Sequence, residues 1–201
     1  MTSLQATGIM EYFKEAVEDA TELLKVEISD HTEFYVVDLL SRYTNVKALT
    51  STELVSEEKT FAELFMESYE LNTEGRARIL KYIGDTTLFL TGFFSDSFQR
   101  SLVDVDYYAS LGRTSYRNLL DLLAARVVSW GLEEVFDELS TKFFQVMDVL
   151  AEISESSGPQ HAVDLLRIYE RWLRTRSQRD EKLLRKLGII PIEASTPGIL
   201  H

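Results

Sequence analysis

Between Tyr82 and Phe94 the chain reads Tyr-Ile-Gly-Asp-Thr-Thr-Leu-Phe-Leu-Thr-Gly-Phe-Phe. Wound as an α-helix, this segment carries apolar or small residues all round its axis. A helix without a polar face belongs at the centre of a fold, because any side turned to water would expose apolar surface. Gly84 and Gly92 each cost about 1 kcal/mol in a helix interior, so they predict close approach of neighbouring helices. Asp85 is the single carboxylate in the segment. Once buried, it must be paired, hydrogen-bonded or protonated. One short segment therefore demands a shell of other elements and places one acid inside it.

The rest of the chain can supply that shell as helices. Across 201 residues there are only 9 Gly and 3 Pro, too few breakers for many short strands. Apolar residues recur at helical spacing, and seven helices are predicted. The first covers 8–28. The second opens on a capping box, Asp30-His31-Thr32-Glu33, and runs to 43. The stretch 44–56 reads as a loop. The third is capped by Ser56 or Thr60, the latter with Glu63 at capping-box spacing, and ends near Leu71. The fourth, capped by Asn72 or Thr73, runs to Phe94, and a loop over 95–103 follows. Asp104 caps the fifth, 105–126. The sixth spans 132–155. A turn at Ser154–Pro159 leads to a long seventh helix ending at Gly188. Phe34-Tyr35-Val36-Val37 is β-prone in composition, but it follows a helix cap and leads into Leu39-Leu40 at helical spacing, so it stays helical. The fold class is all-α: a single helical bundle over 1–188 with an apolar C-terminal tail, 189–201.

Charge and motifs exclude several functions. A net charge of −12 argues against nucleic acid or an anionic membrane as partner. The charge is uneven: residues 1–70 carry −10 and residues 160–190 carry +4. The longest nearly uncharged stretch, 82–95, is shorter than the about 20 residues that span a bilayer. With no cysteine there are no disulfides or thiolate ligands, which suits a reducing compartment. The first twenty residues lack the basic-then-apolar order of a signal peptide, so a cytoplasmic location is expected. No Glu-x-x-His or His-Glu-x-x-His occurs, and His31, His161 and His201 are the only imidazoles, so no metal is expected. No cofactor is indicated either. Neither a Gly-x-Ser-x-Gly elbow nor a Walker-type loop is present.

Two groups of candidate residues remain. The first surrounds Asp85, which reads either as a structural acid accepting hydrogen bonds or as a ligand or proton site. The fifth helix offers Tyr108, Arg113 and Tyr116 as ligand-binding partners. Tyr108, Gly112 and Tyr116 repeat every four residues and line one stripe, which reads as core or as the wall of a pocket. The second group is the basic face Arg167, Arg171 and Arg174 on the seventh helix, with Leu183 and Leu187 beyond it. That face reads as solvated, in part against the acidic first helix, or as a surface for a protein partner.

The run from Tyr82 to Phe94, followed by Asp106-Tyr107-Tyr108 and Leu111-Gly112-Arg113-Thr114-Ser115-Tyr116, resembles uncharacterised bacterial helical proteins of similar length. The resemblance covers 81–117 and implies a bacterial origin.

The preferred expectation is a non-enzymatic bundle acting through protein–protein interaction. Its rival is a small-molecule or cofactor-binding bundle, possible as an enzyme, with a pocket between the fourth and fifth helices. A homodimer built on the last helix is a third reading.

Overall fold

A computed structural model describes residues 2–44, 59–93, 105–156, 172 and 175–186. Among the described residues there are eight α-helices and no strand. They are α1 (Thr2–Leu24), α2 (Asp30–Thr44), α3 (Phe61–Glu67), α4 (Thr73–Phe93), α5 (Val105–Ala124), α6 (Glu133–Thr141), α7 (Phe143–Ser156) and α8 (Gln178–Lys186). A short 3-10 turn, Ser68–Glu70, joins α3 to the approach of α4. The loops expected over 44–56 and 95–103, the Asp104 cap, the end at Gly188 and the tail 189–201 fall wholly or mostly outside the described residues.

The apolar segment takes the central place that its composition demands. Every residue from Ile83 to Phe93 is buried. α5 packs along α4, α7 crosses its C-terminal part, and α2 and α3 cover further sides. Glycines set the spacing. A Cβ at Gly84 would stand 2.5 Å from the Tyr116 ring, and one at Gly112 would stand 2.0 Å from Thr87 Oγ1 and 2.7 Å from Phe143. Neither position has room for even one methyl group.

Local chemistry accounts for most helix ends. Thr60 and Glu63 form the predicted capping box, with Glu63 N–H donating to Thr60 Oγ1 at 3.2 Å and Thr60 N–H to Glu63 Oε2 at 2.7 Å. Asn72 caps α4 through Gly75 N–H at 2.8 Å. The cap of α2 sits one residue earlier than expected. Ser29 Oγ accepts from Thr32 N–H at 3.3 Å, and Asp30 becomes the first helical residue. Ser29 is itself fixed from afar, its N–H and hydroxyl both donating to Glu138 Oε2 at 2.8 Å.

α1 ends at Leu24, short of the expected 28. Lys25 takes a left-handed φ of 54°, and Val26 N–H reaches back to the Thr21 carbonyl at 2.9 Å. Arg126 closes α5 the same way, with φ 53° and Val127 N–H on the Leu122 carbonyl. Both are Schellman closures in which a basic residue stands where glycine is usual. A cation near the negative end of the helix dipole offsets part of the left-handed strain.

Two helices expected to be continuous are broken. The sixth is split at Lys142 into α6 and α7. There Ser140 and Thr141 hydroxyls donate back to the Asp137 carbonyl, at 3.0 and 2.8 Å, while Arg113 Nε donates to the Ser140 carbonyl at 3.1 Å. Side chains thus compete for the carbonyls of this turn, which bends the path. The long C-terminal helix is also corrected: Arg176 adopts φ 52°, and α8 starts afresh behind Ser177. Asp180 N–H donates to Ser177 Oγ at 3.4 Å, and Asp180 and Glu181 place acid in the first turn. Ser177-Gln-Arg-Asp180-Glu181 is a helix start that the run of charges hid.

Candidate functional site: the Asp85 centre

Asp85 is 2 % exposed and sits where α2, α4 and α5 meet. Its Oδ1 accepts from Tyr35 Oη at 2.6 Å and Tyr116 Oη at 2.9 Å. Its Oδ2 accepts from Lys81 Nζ at 2.6 Å and, at a long 3.5 Å, from Arg42 Nη2. Arg42 makes its shorter bond to Asp38, Nε to Oδ2 at 2.8 Å. Two acids and two bases therefore balance within one cluster. Beside it Tyr43 and Thr86 share a hydrogen bond of 2.7 Å between buried hydroxyls.

Burial by itself pushes the Asp85 carboxyl up. The Lys81 and Arg42 charges, with hydrogen bonds from Lys81 and Tyr35, more than reverse this and hold it below the usual carboxylate range. The same geometry acts oppositely on the phenols. Burial first, and the Asp85 charge second, hold Tyr35 and Tyr116 well above the ordinary tyrosine value. Asp85 is thus an anion at neutral pH and both phenols are neutral donors.

This arrangement limits the chemistry of Asp85. A carboxylate has about four lone-pair sites, and four donors already address it. Three of these bonds are short; the fourth, from the partly exposed Arg42, is long. Tyr116 is fully buried, with its ring 5.4 Å from Phe136 and 6.0 Å from Phe143. The Tyr108–Gly112–Tyr116 stripe is core at its last two members.

The other expected partners lie elsewhere. Tyr108 is half-buried, edge-on to Phe61 at 6.0 Å. Arg113 binds the Ser140 carbonyl at the α6–α7 junction. On the C-terminal side Arg167, Arg171, Arg174 and Leu187 lie outside the described residues, and Leu183 falls on α8. His31 is exposed, 3.0 Å from Glu134. Among the described residues no group of three His, Asp or Glu is placed to hold a metal ion.

Tyr35, Arg42 and Lys81 were missed. Lys81 was readable, since it precedes Asp85 by four residues and so shares its helix face. Tyr35 and Arg42 are seven apart on α2, which puts them on one face, but nothing local ties that face to Asp85.

Among the described residues, fold and site together define an all-helical bundle built round a central helix whose one buried carboxylate, Asp85, is enclosed by phenols and cations. No helix among the described residues is long and apolar enough to cross a membrane. No family model matches the chain, and no curated protein and no solved structure matches it.

Proposed function

We propose that the chain works by binding another protein through its exterior, as a non-enzymatic helical bundle of the bacterial cytoplasm. One observation carries this reading: the chain's own donors already occupy the polar centre, and its helices leave little room beside it. Asp85 accepts four hydrogen bonds, and the helices around it touch so closely that Gly84 and Gly112 cannot carry a Cβ. A pocket between α4 and α5 would have to open at this contact. The surface offers more. Phe34, Leu23 and Met66 are 65 %, 64 % and 68 % exposed. Large apolar side chains held in water contribute little to the fold, but become contact area when covered.

The test compares interior with exterior. Phe34→Ser and Met66→Ser should leave the melting temperature nearly unchanged while weakening association with whatever protein the wild type binds. Hydrogen exchange of the purified protein against pools of metabolites and cofactors should show no added protection in α4 or α5. A small molecule that saturates the protein and protects amides over 83–93 and 108–116 would sink the reading in favour of a ligand-binding bundle.

A further inference from the structure

The outer face of α1 holds more acid than the described residues neutralise. Helical spacing gathers Glu11, Glu15, Glu18, Asp19 and Glu22 within about 100° of arc, opposite the buried Phe13, Val17 and Ala20. Glu18 meets Lys14 at 3.4 Å, with both side chains largely in water. Among the described residues the other four meet no base. Tyr12 and Leu23 border the face, 47 % and 64 % exposed. Glu33 of α2 adds to the crowding: partial burial, then the charge of Glu18, push its carboxyl up.

α8 is the converse. Residues 160–190 hold eight bases against four acids. On α8 Arg179 and Lys182 are exposed and three residues apart, so they share one face. Among the described residues neither has an acid partner. Of the two acids in the same turn, Asp180 is 1 % exposed and Glu181 is half-buried, whereas both bases are exposed.

We propose that the acidic face of α1 receives the basic α8 of a second copy of this chain, in a two-fold exchange where each copy gives one helix of each kind. The proposal rests on the protein-binding reading above and names the partner. A two-fold contact uses both faces twice and leaves neither unmatched. The chain's net charge of −12 opposes self-association at long range. At physiological ionic strength that repulsion is screened beyond about 8 Å, whereas pairs at contact are screened much less. Tyr12 and Leu23 would supply the apolar edge of the contact.

A charge swap tests this. Glu15→Lys with Asp19→Lys changes the net charge from −12 to −8, and Arg179→Glu with Lys182→Glu changes it to −16. All four side chains are exposed, so both variants should keep wild-type far-ultraviolet spectra. Light scattering and native mass spectrometry are expected to give the wild type twice its 23.1 kDa. Each variant alone should run as a single chain. An equimolar mixture should restore a dimer containing one of each. The mixed pair carries −8 and −16, the same −24 as two wild-type chains, so recovery cannot come from overall charge. The proposal is overturned if the wild type has single-chain mass from micromolar to near-millimolar protein. Dimeric single variants, or a mixture that stays monomeric, overturn it equally. A monomer that captures a different protein through exposed Phe34 or Met66 overturns the self-pairing and leaves the protein-binding reading standing.

Discussion

Asp85 holds three helices through one side chain, so its removal should be felt far beyond its volume. Asp85→Leu keeps roughly the same size but leaves Tyr35, Tyr116 and Lys81 without their acceptor. Stranding buried donors, one of them charged, is expected to cost about 2–4 kcal/mol. Urea melts of wild type and variant measure this. An unchanged midpoint would mean the cluster contributes no net stability. Glu138 makes a second prediction at this scale. Partial burial raises its carboxyl, but hydrogen bonds from Thr32, from Ser29 and from Lys142 pull it down to about 2, against an ordinary 4.5. A lowered carboxyl stabilises the fold above its unfolded value, and that contribution disappears as pH falls towards its folded value. The Glu138 contribution should therefore be complete above about pH 5 and decline towards pH 2. Glu138→Gln should flatten the acid limb of stability in that window. Asp85 has the same sign, so its variant should show a shallower acid limb as well.

At the level of elements, helix ends carry as much information as helix faces. α1 and α5 close on left-handed Lys25 and Arg126, where glycine is strain-free. Lys25→Gly should stabilise the protein by up to about 1 kcal/mol, reduced by the lost cation at the helix end. Lys25→Val, branched at Cβ, should destabilise it. A pair of thermal melts shifted in opposite directions is the expected result, and shifts of the same sign would contradict the strain. The junction at Lys142 has another logic. Hydroxyls of Ser140 and Thr141 and the guanidinium of Arg113 take carbonyls that a straight helix would use. Arg113, one of the candidate ligand residues, donates to the Ser140 carbonyl at this junction.

For the whole molecule, the burial of α4 sets the unfolding behaviour. Helices from both halves of the sequence pack on it, so exposing α4 uncovers apolar surface on α2, α3, α5 and α7 together. Loss of helix, followed by circular dichroism, and exposure of buried Trp172, followed by fluorescence in a Trp130→Phe background, should coincide in urea. Non-coincident curves would show that the C-terminal part unfolds independently of α4.

The all-helical class and the central place of residues 83–93 were legible in the sequence, because periodicity and the lack of a polar face are local properties that burial simply obeys. Local also were the Thr60 and Asn72 caps, where a side chain reaches only three residues along its own chain. The burial of Asp85 followed from its helix, and helical spacing could have given Lys81 although it was missed. The tertiary structure alone decided the rest. Tyr35 lies 50 residues from Asp85 and Tyr116 lies 31, and no local rule joins them. Ser29 displaced Asp30 as a cap because Glu138 holds it from 109 residues away. The break at Lys142 depends on Arg113 arriving from another helix. Periodicity records which side of a helix is apolar, but which partners meet on that side is fixed only when the helices pack.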